Sequence, residues 1–134
     1  MFTSVSHRSA SAYQRVQVET AVSQASPHQL VVMLFDAYLQ AVSMARMALK
    51  QGNTAMKGEQ IGKAVRIIDE GLKPALNMEE GGDLAMNLNG LYGYCVMLLT
   101  QTNLNNDDKA LADASRIMQP VAQGWKEMGA QVAH

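Results

Sequence analysis

The side chains most able to do chemistry are few in this chain and poorly spaced for it. Histidine occurs at His7, His28 and His134, and none has a carboxylate or a second histidine at i+3 or i+4. A di-metal centre in a helical bundle draws on Glu-x-x-His pairs from facing helices. None of Glu19, Glu59, Glu70, Glu79, Glu80 or Glu127 has a histidine three residues on, and a zinc site is equally unsupported. Cys95 is the sole cysteine, so no internal disulfide forms. It stands in an apolar helical run and reads as a buried, inert thiol. Gly81-Gly82 has neither the preceding strand nor the lysine of a phosphate-binding loop and reads as a turn. The acidic pairs Glu79-Glu80 and Asp107-Asp108 sit beside helix starts, where the macrodipole and solvation account for them. No serine, cysteine or lysine is paired in sequence with a plausible base. These residues point to no catalytic, metal or cofactor site.

Composition bounds the rest. The 134 residues suit one domain and are 48% hydrophobic but only 5% aromatic, so the apolar mass is aliphatic and methionine-rich. That balance favours packed helices over a β-sandwich. With a net charge of −1 there is no basic excess to neutralise a phosphate backbone, which argues against nucleic-acid binding. The opening MFTSVSHRSASAY lacks the features of a secretory signal, and no uninterrupted apolar run reaches membrane-spanning length. A cytosolic protein with no membrane insertion is expected. Methionine is abundant, with ten residues; its flexible thioether fills irregular core gaps and also lines surfaces that accept adaptable partners.

The elements follow from apolar spacing. Residues 1–25 read as a flexible segment carrying a short amphipathic helix near Tyr13–Val22, with Tyr13 and Val16 on one face and Val18 and Val22 on another. Residues 26–130 read as an antiparallel up-down four-helix bundle, an all-α fold. The first helix, near 27–50, opens with Ser26 as N-cap, Pro27 at the first helical position and Gln29 completing a capping box. It carries two apolar stripes side by side, one through Leu30, Leu34, Ala37, Ala41, Met44 and Ala48, the other through Val31, Phe35, Tyr38, Val42, Ala45 and Leu49. So wide an apolar face must be buried against more than one neighbour or lend surface to a partner. Gly52 suits a left-handed helix stop.

The second helix, near 55–77, buries Ile61, Ala64, Val65, Ile68, Leu72, Ala75 and Leu76, and Pro74 predicts a kink or early end. After a turn at Glu79–Gly82 with Asp83 as cap, the third helix, near 83–104, has a core seam through Leu84, Leu88, Leu91, Tyr92, Cys95, Leu99 and Thr102. Its outer face places Met86, Gly90, Gly93, Met97 and Leu98 where charges are expected. The fourth, near 108–130, is a heptad seam through Leu111, Ala114, Met118, Val121, Trp125 and Met128, which Pro120 should kink or split.

These residues resemble a known family. Tyr13, Val18-Glu19-Thr20-Ala21, Ala25-Ser26-Pro27-His28-Gln29-Leu30 and Met33-Leu34-Phe35-Asp36 occur in order, followed by Lys63-Ala64 and Ile67-Ile68. Gly81-Gly82-Asp83-Leu84-Ala85, Asn87-Leu88, Leu91-Tyr92-Gly93-Tyr94, Asn103-Leu104 and Trp125 complete the set. In this order and spacing the chain is similar to the flagellar secretion chaperone family, FliS, over roughly Tyr13 to Trp125. The resemblance implies a non-enzymatic bundle that binds the disordered C-terminal segment of flagellin, keeps flagellin from polymerising in the cytosol and supports its delivery to a component of the flagellar type III export gate. It also implies a mobile N-terminal cover over part of the groove, here through Tyr13 and Val18. The chain departs from the family pattern at Gly93, Met97 and Leu98, where charged residues are usual, so its third helix is more apolar.

The groove candidates are Val31, Phe35, Tyr38 and Val42 of the first helix and Tyr94, Met97 and Leu98 of the third. For the first-helix residues, plain core packing is an equally good reading. Two alternatives stay open: a self-associating bundle, a homodimer or an adaptor with a different export client, and a metal or enzyme bundle assembled by tertiary proximity.

Overall fold

The computed structural model of the chain describes residues 25–132. The segment expected to carry the short amphipathic helix, with Tyr13 and Val18, lies outside the described residues. Four helices follow one another with short connections: α1 (Pro27–Lys50), α2 (Thr54–Arg66), which continues into a π-helical turn (Ile67–Leu72), α3 (Met78–Asn105) and α4 (Asp108–Val132).

Helix α1 starts and stops as its sequence dictates. The Ser26 hydroxyl accepts from Gln29 N at 3.1 Å while Gln29 Oε1 accepts from Ser26 N at 2.9 Å, so two otherwise orphaned amides are satisfied reciprocally. At the other end Gly52 takes a φ of 71°. Gly52 N donates to Leu49 O and Asn53 N to Ala48 O, the paired bonds of a Schellman stop. Asn53 then caps α2 through Met56 N at 3.1 Å.

Each helix packs on its sequence neighbour, and α4 closes back on α1, so the bundle is up-down-up-down with α1 and α3 on a diagonal. Both apolar stripes of α1 are buried, from Leu30 and Val31 through Ala45 and Ala48, with Met44 the exposed exception. Phe35 meets Tyr92 of α3 across the centre, their rings tilted at 57° with centroids 6.5 Å apart. The Tyr38 hydroxyl donates to Ala114 O of α4 at 2.9 Å. By length and composition α1 is also apolar enough to cross a membrane. Asp36, Gln40 and Arg46 interrupt its apolar run in the sequence. Here its apolar faces are covered by the neighbouring helices instead.

The early end expected at Pro74 is found: the α ladder gives way to the π turn and stops at Leu72, with Lys73 N donating to Ile68 O five residues back. Pro74 lacks an N–H and its ring crowds the carbonyl four residues before it, so a regular α ladder cannot run through this point. A short helical turn, capped by Asn77 through Glu80 N at 3.0 Å, replaces the plain turn expected at Glu79–Gly82, and Gly82, at φ 53° and ψ −130°, separates it from the main run of the third helix. Pro120 does not split α4, which runs on through it with the proline ring exposed.

Between α3 and α4, Asn106 adopts a left-handed φ of 53° and Asp107 caps α4 through Ala110 N. Lys57 of α2 reaches this corner although it is only 4% exposed. Its ammonium donates to Asn106 Oδ1 at 2.5 Å and to Asn103 O at 3.3 Å. A buried cation is tolerable there because the C-terminal end of α3 presents free carbonyls and the negative end of its dipole.

Two predictions follow from this packing. A Cβ on Gly71 would lie 2.9 Å from Leu34 Cδ1, and Leu34 is itself fully buried. Gly71→Val should therefore destabilise the bundle by about 1–3 kcal/mol through overpacking, read as a lower midpoint in urea. Gly62→Ala, where the added carbon meets only Arg66 Nη1 at 3.5 Å, should leave stability equal or raise it by up to ~1 kcal/mol. The second concerns Arg46 of α1, which pairs with Asp108 of α4 at 3.2 Å. The Arg46 hydrogen bond holds the Asp108 carboxyl below its usual range. A carboxyl whose pKa is lower folded than unfolded contributes stability that is present above its unfolded pKa and lost as pH falls through the folded value. Arg46→Ala should cost on the order of 0.5 kcal/mol at neutral pH, given that both side chains are partly exposed. The difference from the parent should vanish in thermal melts once Asp108 is protonated in both.

Candidate functional site

Most of the polar and reactive groups inside the bundle are engaged with one another, with Gln60 Oε1 and Trp125 Nε1 buried without a hydrogen-bond partner among the described residues. Cys95 is fully buried, and burial pushes its thiol up, against a smaller opposing pull from the Tyr38 hydroxyl. Burial first, and the neighbouring Cys95 second, push the Tyr38 and Tyr92 hydroxyls far above their usual range. All three are neutral at physiological pH and offer neither nucleophile nor base. His28, at the start of α1, stacks on Trp125 of α4 with centroids 5.5 Å apart and planes 7° from parallel. Its Nε2 lies 2.7 Å from Trp125 O and must be the donor, because a carbonyl can only accept. The pair clamps two helices together. Thr102 is wholly buried and shares its hydroxyl proton between Leu98 O and Asp107 O, each at 3.0 Å. Among the described residues no group of three histidine, cysteine or acidic side chains is placed to hold a metal ion.

The distinctive surface is the outward face of α3. From Leu84 to Asn106 the chain has no Asp, Glu, Lys, Arg or His. Outward positions on α2 and α4 carry Glu59, Arg66, Asp69, Lys109, Arg116 and Glu127, all exposed. On α3, Met86, Met97 and Leu104 are 63%, 51% and 77% exposed. At 3.6 residues per turn these three fall, with Gly93, on one stripe running about five turns along the helix. Tyr94 flanks it, 46% exposed. A Cβ on Gly90 or Gly93 would meet nothing within 4 Å. Packing among the described residues therefore does not require either glycine, although each costs roughly 1 kcal/mol of helix propensity relative to alanine. Their effect is to lower the surface so that another backbone can approach closely.

Of the expected groove residues, only Tyr94 and Met97 are exposed. Val31, Phe35, Tyr38 and Val42 lie in the core, because α1 is enclosed by α2, the π turn and α4. Leu98, three residues after Cys95 and four before Thr102, shares their inward face and is likewise buried. These five do not line an open groove in this bundle. Conversely Leu84, expected on the core seam, is 63% exposed. Leu104, at the expected end of the third helix, adds another outward residue to α3. The uncharged run from Leu84 to Asn106 was the available signal for this surface.

A helical bundle whose internal polar groups are largely satisfied, with one long uncharged helix face turned to solvent, has the architecture of a module that binds other polypeptides. The chain belongs to the FliS family: the model for flagellar protein FliS matches residues 9–132. It is 46% identical over 117 residues to the flagellar secretion chaperone FliS of Salmonella typhimurium, covering 87% of each chain. It is 41% identical over 116 residues to the protein of that name from Escherichia coli, covering 87% of this chain and 85% of the relative. With that of Vibrio cholerae the identity is 39% over 117 residues, again 87% and 85%.

Proposed function

We propose that this protein is a cytosolic, non-enzymatic export chaperone for flagellin. On this reading it binds the disordered C-terminal segment of flagellin, holds flagellin back from premature polymerisation and supports its delivery to a component of the flagellar export gate. The observation that carries the reading is the uncharged, glycine-lowered outer face of α3, together with membership of a family whose relatives are named flagellar secretion chaperones.

The physics suits a disordered client. An extended segment that folds on contact lays apolar residues, repeating at i, i+3 and i+7, along a helix face. It loses conformational entropy in doing so, so it needs a long contact and binds only moderately for the area buried. Moderate binding is what a carrier that must release its cargo requires. Tyr94 and Met97 are the contact residues in this account, joined by Met86 and Leu104. Val31, Phe35, Tyr38, Val42 and Leu98 support the face from within and would meet the client only where helices part. Residues 1–25 are read as a separate segment from the 26–130 bundle, with Tyr13 and Val18 as a cover that competes for the same surface.

Calorimetric titration with a peptide from the C-terminal region of the same cell's flagellin should give saturable 1:1 binding with a negative heat-capacity change, the mark of apolar burial coupled to folding. Met97→Glu should weaken that binding by roughly tenfold or more without lowering the melting temperature appreciably. Absence of binding by folded parent protein, with concentration-dependent dimers in its place, would favour the self-associating bundle. A chain lacking residues 1–22 should bind the peptide more tightly, since removing a competitor raises the fraction of open surface. Unchanged or weaker binding by a folded deletion would remove the cover.

A further inference from the structure

The methionines span the range of exposure, and Met47 of α1, at 58%, is exposed to a degree similar to Met86 and Met97, so what sets the last two apart is their place on the uncharged stripe. Met118 of α4 is fully buried in the core. Met86 and Met97 stand out on α3, on one stripe about three turns apart, with the open positions of Gly90 and Gly93 between them. Exposed thioethers react with peroxides, and the product, methionine sulfoxide, is polar where the thioether was apolar. On most surfaces this change is inconsequential, because charged neighbours already make the surface polar. Here no charged side chain occurs between Leu84 and Asn106, so a sulfoxide at Met86 or Met97 would introduce polarity among exposed Leu84, Tyr94 and Leu104.

We propose that Met86 and Met97 form a reversible oxidation site, with hydrogen peroxide or a comparable two-electron peroxide as co-substrate, whose oxidation closes the α3 face to its partner. The inference rests on α3 being the client face. At each residue the sulfur lone pair attacks one peroxide oxygen. The S–O bond forms as the O–O bond breaks, and sulfur gives up two electrons. The proton on the attacked oxygen passes to the departing oxygen, which leaves as water. The sulfoxide oxygen is a strong acceptor that loses its water on burial, and an apolar client residue has no donor to replace it. Because both sulfurs lie on one stripe, a single client helix meets both. Sulfoxide reductases, one for each sulfoxide epimer, return the thioether and reopen the face.

The full-length protein is treated with limiting hydrogen peroxide and its sulfoxides are mapped by mass spectrometry. Helicity, retention on a hydrophobic-interaction column and titration with the flagellin peptide are then compared with untreated protein. Met86 and Met97 should oxidise in the folded protein while Met118 is spared, with helicity unchanged. Column retention should fall, and peptide affinity should drop roughly tenfold or more, both recovering after reductase treatment. Measured against its own untreated sample, whatever its starting affinity, the double variant Met86→Leu, Met97→Leu should lose no peptide binding on peroxide treatment and should lose less column retention than the parent. Met44→Leu with Met47→Leu should give no protection. Protection by the α1 pair instead, or full peptide binding with both α3 sulfoxides mapped, would overturn the oxidation site. If untreated protein fails to bind the peptide while peroxide still shortens column retention through Met86 and Met97, the client assignment falls and the oxidation site stands.

Discussion

Everything in this bundle depends on the burial of α1. A helix with two adjacent apolar stripes cannot lie on the surface of anything. Leu30, Leu34, Phe35, Tyr38 and Val42 each lose their exposure to water, and a fully buried side chain of this size is worth about 1.5–3 kcal/mol. Enclosing it requires a neighbour on each side and a partner across the diagonal. That requirement sets the order of packing: α2 and the π turn on one flank, α4 on the other, and Tyr92 of α3 meeting Phe35 across the centre. The polar fixings are consistent with this. The Tyr38–Ala114 bond, the Arg46–Asp108 pair and the His28–Trp125 stack all tie α1 to α4, so the enclosure is closed along its length.

Once α1 is satisfied internally, the surplus apolar surface sits on α3. It shares the fewest close approaches with α1 and keeps a full outward face. The absence of charge along that face is costly in solubility, and the glycines within it are costly in helix propensity. Among the described residues nothing packs on the face to recover either cost. A client that lays apolar residues along the stripe offsets both, and this is the physical content of the chaperone reading.

Much of this was legible in the residues. Ser26, Pro27 and Gln29 mark the start of α1, and Gly52 its end, because each acts locally on its own backbone. The four apolar repeats, the up-down order and the buried Cys95 follow from periodicity. What was not legible depends on how helices rotate against each other. Leu98 and Leu84 exchange roles because a seam through seven residues leaves the inward direction uncertain by one position, and packing with α2 and α4 decides it. The π turn lies just before Pro74, and within it Gly71 packs so close to Leu34 that a Cβ would lie 2.9 Å from Cδ1, a contact between residues far apart in sequence. Lys57 reads as an ordinary surface lysine until the end of α3 is placed beside it. The first-helix residues were open to two readings, and their burial is the outcome of the enclosure itself.

The central claim is that the outer stripe of α3, and not a groove along α1, receives the client. The methionine methyl groups report on it directly. With the ε-methyls isotopically labelled, the protein is titrated with the flagellin C-terminal peptide and followed by methyl NMR. The account predicts large shifts for Met86 and Met97 and little change at the buried Met118. Shifts confined to Met33, Met44 and Met47 of α1, with Met86 and Met97 unmoved at saturation, would contradict it.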